Sequence, residues 1–269
     1  MNNLVIICAI LLLVLLFLKV PVYIAVLSAS AVYFIGTPGM NLSIFAQKTI
    51  SGAEGLSLLA IPFFVCAGIF MNYTGVTKRI MNCCEVLTAR MPGGLAQVNI
   101  LLSTLMGGLS GSSLADAAMQ CKMLVPTMES KGYSKSFSTV ITAASGMVVP
   151  LIPPGVGLII YGCINNISIG KLFIAGIGPG IVLCVTLMIF THFLSKKRGY
   201  LPSRTTKIPV SEKIAAVRPA FLPLLLPIII IGGVRIGVFT ASEAGTVAIV
   251  YAVLLGLLYK ELTLKNVMQ

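Results

Sequence analysis

Hydrophobic positions along the chain form long uncharged runs that short polar segments separate. A helix needs about 20 mostly apolar residues to cross the hydrocarbon core of a bilayer, and most of the runs approach that length. They predict about seven spanning helices, at about Leu4–Leu18, Val22–Ile35, Leu56–Asn72, Ser136–Tyr161, Leu172–Leu194, Ala220–Val234 and Glu243–Tyr259. The first run has no basic residue ahead of it, unlike a signal peptide, so we interpret it as a retained helix. The pattern predicts an all-α polytopic membrane protein.

A re-entrant hairpin is predicted among these spans. Gly93–Glu129 is apolar, but glycine and serine residues between Gly107 and Ser113 interrupt it. Backbone leaves helical geometry at membrane depth only where protein or a water-filled cavity covers it. The preceding segment, Thr74–Met91, carries charged residues between apolar positions and is typical of an amphipathic interfacial helix.

A broken helix is predicted over Ser136–Tyr161. Three prolines lie within Pro150–Pro154, and each one lacks an N–H and disfavours helix in the residue before it. The flanks, Phe137–Val149 and Val156–Tyr161, are too short to span a bilayer separately. A hairpin followed by an unwound helix is expected in the binding half of a secondary transporter, and a plain loop between two short helices is the alternative.

Composition excludes several classes of protein. Hydrophobic residues make up 57% and charged residues 10% of the chain, against about 45–50% and 25% in soluble domains. A soluble enzyme and a disordered chain are therefore excluded. The net charge of +12 suggests nucleic acid, but the basic residues form no aromatic-interleaved face, so no nucleic-acid partner is expected. An intramembrane hydrolase is also disfavoured, because the one histidine, His192, is remote from the serines and shares no motif with them.

The basic residues predict the orientation of the chain. With Gly93–Glu129 as a re-entrant hairpin and the basic loop 195–218 in the cytoplasm, 16 of the 19 lysines and arginines fall on or toward the inner side. If the hairpin were one crossing helix, this bias would weaken. The positive-inside rule therefore favours the hairpin, with the N-terminus outside.

The hairpin tip and the broken helix carry the candidate chemistry. Each break exposes backbone carbonyls, which suit a hard cation, and N–H groups, which suit an anion. We predict one sodium site from Ser110, Gly111, Ser112, Ser113, Ser145 and Gly146, and substrate contacts from Ser112, Ser113, Pro153 and Pro154. A helix-packing seam of small residues is the alternative for the tip. Asp116, the acid well inside the hairpin, is a candidate to cap the second half-helix and to handle an ion or proton, and the two roles are compatible.

Four motifs carry a resemblance to a known family. Leu58–Val65 (LLAIPFFV), Leu109–Asp116 (LSGSSLAD), Pro150–Gly155 (PLIPPG) with Tyr161–Gly162, and Gly237–Gly245 (GVFTASEAG) resemble the large membrane subunit of TRAP (tripartite ATP-independent periplasmic) transporters, a DctM-like permease. The resemblance implies a sodium-coupled importer of small organic anions, such as C4-dicarboxylates, sialic acid or sugar acids, that works by an elevator mechanism in the bacterial inner membrane. It implies no enzyme activity and no organic cofactor. It also implies a small four-helix membrane subunit and a periplasmic substrate-binding protein as partners.

The chain departs from this family in having one hairpin and one broken helix. Family members resemble two inverted repeats, so the chain corresponds to the first repeat and is expected to be incomplete. The resemblance implies scaffold helices and the arm helix at 1–92, a transport element at 93–161, and further helices with the cytoplasmic loop at 162–269. Another sodium/anion transporter of related fold is the alternative, and an ion-channel subunit is a less favoured one.

Overall fold

A computed structural model describes residues 2–204, 206 and 208–261. Within these ranges the chain is helical and has no strand, as the apolar pattern predicts. It separates into two compact units, one ending at Gly55 and the other beginning at Leu56.

The first unit contains α1 (Asn2–Phe17), α2 (Val22–Gly36) and α3 (Leu42–Ala53). α1 and α2 match the first two predicted runs, and they approach closely at Gly36, where a Cβ atom would lie 2.6 Å from Leu4 Cδ1. α3 was not predicted, since it has only 12 residues and a lysine in its middle. Its N-cap is Asn41, whose side chain accepts a 3.0 Å hydrogen bond from Ile44 N–H.

The second unit follows the predicted order of spans, hairpin and broken helix. Its elements are a 3₁₀ turn (Leu56–Leu59), α4 (Ala60–Tyr73), α5 (Val76–Thr88), α6 (Gly94–Ser110), α7 (Ser113–Ser130), α8 (Lys135–Gly146), a second 3₁₀ turn (Val149–Leu151), α9 (Val156–Asn165), α10 (Ile169–Lys197), α11 (Val210–Arg235) and α12 (Ala241–Leu258). The helix within the predicted interfacial segment is α5, which bends away from α4 by 72°. The break predicted at the prolines is present, since the α8 segment and α9 are bent by 43°.

Fewer helices than predicted are long enough to cross a membrane. Among the described residues, three single helices are long and apolar enough to cross a membrane: α10, α11 and α12. The number of possible spans rises to five if each of the two bent helix pairs is counted as one span. α1 and α2 are apolar but have 16 and 15 residues, less than the roughly 20 that a straight span needs. The predicted figure of about seven spans is therefore not confirmed.

The basic loop is shorter than its predicted bounds of 195–218. α10 continues to Lys197 and α11 begins at Val210, so only 198–209 lies between helices. Lysines in the last turn of α10 favour this extension because cations stabilise a helix C-terminus. The connecting segment is held to the end of Thr74–Met91, the arm, by a 2.9 Å hydrogen bond from Arg204 N–H to Ala89 O.

Two tyrosines, Tyr251 within α12 and Tyr259 just after its end, tie the proline-rich helix α11 to α12. Pro223 supplies no N–H to the carbonyl of Pro219, four residues earlier, so that carbonyl has no helical donor. The Tyr259 hydroxyl donates to it at 2.9 Å, and Tyr251 donates to Leu222 O at 2.7 Å. The freed polar group is thus satisfied by protein, as burial in an apolar environment requires.

Candidate functional site

The predicted hairpin is formed by α6 and α7, which only two residues separate. Gly111 takes a left-handed φ of 61°, a conformation that suits glycine because it has no Cβ. Ser112 then caps α7 by accepting a 3.4 Å hydrogen bond from Ala115 N–H. The chain therefore reverses within Gly111–Ser112.

Both ends of this hairpin meet at Tyr200. Gly93 N–H, at the start of α6, donates to Tyr200 O at 3.2 Å. Ser134 N–H, just after α7, donates to the Tyr200 hydroxyl at 3.1 Å, and the Tyr133 ring stacks on Tyr200 with centroids 4.3 Å apart. The chain therefore begins and ends the hairpin at one end of the helices, as a re-entrant hairpin must.

The hairpin tip lies directly against the broken helix. Val156 N–H, at the start of α9, donates to Gly111 O at 3.4 Å. A Cβ atom at Gly111 would lie 2.9 Å from Pro154 O, and one at Gly108 would lie 3.0 Å from Pro153 O. The packing alternative therefore applies to these glycines, which permit the close approach. The two interruptions predicted separately from the sequence form one locus.

The carbonyls of Pro153 and Pro154 do not face open space. Both prolines are buried, and their oxygens lie against Gly108 and Gly111 of the hairpin. These glycines lack the side chains that would hold the two segments apart. Substrate contact by Ser112, Ser113, Pro153 and Pro154 stays a prediction.

Ser145 lies elsewhere than predicted. Its hydroxyl donates to Asn99 Oδ1 at 2.8 Å and accepts from the Ser103 hydroxyl at 2.9 Å. Ser103 precedes Ser110 on α6 by two helical turns, roughly 10 Å. The structure therefore does not bring the Ser145 hydroxyl to the tip, because α8 turns that side chain toward the middle of α6.

Ser145 belongs to a buried polar network that the sequence reasoning missed. Asn99 Nδ2 donates to Thr142 Oγ1 at 2.7 Å, and Gln120 Nε2 donates to Ser103 Oγ at 2.9 Å. The five side chains are buried and join α6, α7 and α8. The only signal in the sequence is the helical spacing of the pairs Asn99/Ser103 and Thr142/Ser145.

Gly146, by contrast, lies beside the start of α7. A Cβ atom there would lie 3.6 Å from Ser113 O and 3.5 Å from Ala117 Cβ. The structure thus gathers Ser110–Ser113, Gly146 and the two prolines, and leaves out the Ser145 hydroxyl. Sodium binding by this set stays a prediction.

Asp116 is buried in the first turn of α7. Ser112 is the N-cap of α7, and Asp116 lies one residue beyond the position that a capping box would use with it, so its role as cap or ion ligand stays a prediction. Its Oδ2 has no hydrogen-bond partner among the described residues. The helix dipole stabilises an anion here, and the free oxygen leaves Asp116 able to bind a cation or proton.

Comparisons with known proteins agree with the motifs. Residues 9–269 match the model of the family described as "Tripartite ATP-independent periplasmic transporter, DctM component". The chain is 41% identical to the sialic acid TRAP transporter large permease protein SiaM of Vibrio cholerae, over 94% of this chain and 59% of that protein. It is 40% identical to the 2,3-diketo-L-gulonate TRAP transporter large permease protein YiaN of Escherichia coli, over 90% and 57%. It is 39% identical to the sialic acid TRAP transporter permease protein SiaT of Haemophilus influenzae, over 94% and 41%. The chain spans roughly two-fifths to three-fifths of the length of these relatives.

Proposed function

Because the chain belongs to the DctM family of tripartite ATP-independent periplasmic transporters, we propose that it supplies one transport element of a sodium-coupled permease for small organic anions. Membership of this family makes it a membrane transporter component rather than an enzyme. The relatives named for sialic acid and for 2,3-diketo-L-gulonate support carboxylates of sugar-acid size as the substrate class. The bacterial inner membrane is the proposed location, with the N-terminus outside.

The observation that carries this proposal is the convergence of four helix ends at the hairpin tip. α6 ends at Ser110 and α7 begins at Ser113. The end of α8 reaches Ser113 through Gly146, and α9 begins at Val156, bonded to Gly111 O. Helix C-termini attract cations and helix N-termini attract anions. One locus can therefore accommodate a cation beside an anion, which is what coupled transport of sodium and a carboxylate needs.

Sodium is the cation that this oxygen set suits. The tip offers serine hydroxyls and backbone carbonyls, which are hard neutral ligands. The buried Asp116 carboxylate, one oxygen of which has no partner among the described residues, supplies negative charge within one helical turn. A hard cation lowers the free-energy cost of burying that carboxylate, since buried charges need a partner.

Uptake by the complete transporter tests the proposal. The large subunit containing this chain, a small membrane subunit and a periplasmic binding protein would be reconstituted in liposomes, with labelled sialic acid and 2,3-diketo-L-gulonate as first probes. We expect saturable uptake that requires an inward sodium gradient and the binding protein. Uptake unchanged after replacing sodium with potassium would contradict sodium coupling. Unsaturable flux without a binding protein would favour the channel alternative.

The partner subunits are assigned to different parts of the chain. We propose that the first helices and the arm, Thr74–Met91, belong to a static scaffold that contacts the small four-helix subunit, and that 93–161 moves with the substrate. Crosslinks to the small subunit should then map to Leu4–Ile35 or to the arm. Crosslinks chiefly within Gly93–Tyr161 would reverse the assignment.

A further inference from the structure

A cavity of about 410 Å³ lies between the start of α6 and the end of α10, away from the hairpin tip. It is lined by Met91, Gln97, Met188, Ile189, His192 and Phe193. Phe193 is 67% exposed and Ile189 is 52% exposed, so the cavity opens on the outer face of α10. Since α10 is long and apolar enough to span a bilayer, that face can meet lipid.

The wall of the cavity is apolar except at Gln97 and His192. Gln97 is buried, and its Nε2 donates to Met188 O at 2.9 Å. Its Oε1 has no hydrogen-bond partner among the described residues. That oxygen is itself buried, so the wall presents almost no polar atom to a guest, and the cavity favours an apolar chain.

Two basic residues, neither of which lines the cavity, adjoin lining residues along the chain. Arg90 directly precedes the lining residue Met91, and Lys196 follows His192 by one helical turn, on the same side of α10. Both basic side chains belong to exposed residues, and none of the lining residues is acidic. An apolar cavity with basic residues beside it, at the end of a spanning helix, complements a lipid with a negative headgroup.

We propose that this cavity is a binding site for an anionic phospholipid of the phosphatidylglycerol class. An acyl chain fills the space between Met188 and Phe193, and the phosphate lies against Lys196 and Arg90. The site is separate from the proposed transport function, since it uses no residue of the hairpin tip or the broken helix.

Tryptophan fluorescence tests the proposal sharply, because the chain contains no tryptophan. Phe193→Trp places a single reporter on the cavity. Phe190→Trp is the matched control, since Phe190 lies on the same helix, is 62% exposed and does not line the cavity. Each full chain would be reconstituted in phosphatidylcholine vesicles that contain a small fraction of either brominated phosphatidylglycerol or brominated phosphatidylcholine, whose acyl bromines quench tryptophan on contact.

We expect brominated phosphatidylglycerol to quench Phe193→Trp well beyond its share of the lipid, and to quench Phe190→Trp in proportion to that share. Brominated phosphatidylcholine should quench both reporters in proportion, which also shows that both variants are inserted. Equal quenching of Phe193→Trp by the two brominated lipids would overturn the proposal.

The role of the basic residues is tested on the Phe193→Trp background. Lys196→Gln should lower the preference for phosphatidylglycerol about fivefold, since each basic residue near an anionic lipid surface contributes about 1 kcal/mol. Lys197→Gln is the control, because Lys197 points to a different side of α10 by helical spacing and should leave the preference unchanged. An equal effect of both substitutions would mean that the basic end of α10 attracts anionic lipid without a specific site, and it would overturn the proposal.

Discussion

At the scale of single residues, similar side chains near the tip have different surroundings. Ser112 caps α7 at the tip, whereas Ser145 is bonded within the buried network of α6, α7 and α8. Both are serines beside a helix break, so the sequence predicts a sodium-ligand role for each. Which way a side chain turns depends on how the helices pack, and the order of residues along α8 does not determine it.

Ser112→Ala and Ser145→Ala should therefore have different effects. Ser112→Ala removes a hydroxyl from the tip and should raise the sodium concentration for half-maximal uptake about fivefold, the equivalent of about one hydrogen bond. Ser145→Ala should leave the sodium dependence unchanged but lower the free energy of unfolding by about 1–3 kcal/mol, because Asn99 Oδ1 loses its donor. Uptake titrations and thermal unfolding of the complete transporter measure both quantities. Ser136→Ala, at an exposed position of α8, is the control. If Ser145→Ala shifted the sodium dependence and Ser112→Ala did not, the assignment of Ser112 to the tip and Ser145 to the buried network would be contradicted.

Among the residues of the tip, Gly111 is the one whose replacement should lower stability and uptake most. Gly111→Ala introduces a Cβ at a φ of 61° and 2.9 Å from Pro154 O, and the left-handed conformation alone costs about 1–2 kcal/mol. We expect lower thermal stability and a large loss of uptake at matched membrane expression. Gly157→Ala is the control, since a Cβ at Gly157 meets nothing within 4 Å. Equal uptake by the two variants would show that the tip does not need its close contact with the broken helix.

At the scale of elements, most of the helices could be predicted from the apolar runs. The runs place α10, α11 and α12 because each is long and apolar, and the prolines at 150–154 locate the break between α8 and α9. α3 was missed because its signal is a cap and 12 amphipathic residues. The buried network could not be predicted, because nothing in the sequence indicates that these polar residues, which lie on three separate helices, contact one another.

The broken helix depends on its prolines for its shape. Replacing both Pro153 and Pro154 by Ala restores two N–H donors and removes an opposition to helix of about 3 kcal/mol per proline. We expect the segment between α8 and α9 to gain helical structure and to lose its fit against Gly108 and Gly111. The complete transporter should then insert normally but show severely reduced uptake.

The control for this substitution is Pro126→Ala, which removes an exposed proline from the interior of α7. It should leave uptake near normal when membrane expression is matched. Near-normal uptake by the Pro153/Pro154 variant as well would support the plain-loop alternative for this segment.

At the scale of the whole molecule, the contacts in the structure agree with the positive-inside argument about which segments share one side of the membrane. The arm end, both ends of the hairpin and the segment 198–204 contact one another. The positive-inside argument requires these parts to share one side of the membrane. That this shared side is the cytoplasmic one follows only from the distribution of lysine and arginine residues.

Cysteine labelling decides the side. In a background without the seven native cysteines, Ser203→Cys should react with a membrane-impermeant thiol reagent only from the cytoplasm. Ser168→Cys, between α9 and α10, should react only from the periplasm, and both positions are exposed. The reverse pattern would place the N-terminus inside.

Tyr200 and Arg204 give the segment between α10 and α11 a mechanical role. Tyr200 holds both ends of the hairpin, so the hairpin has no free end about which it can swing alone. Four residues later, Arg204 N–H is bonded to Ala89 O of the arm. If the hairpin moves while the arm stays, this short linkage would have to deform. The hydrogen bonds from Arg204 N–H to Ala89 O and from Thr88 Oγ1 to Gly94 O are then the contacts that such a motion would lengthen.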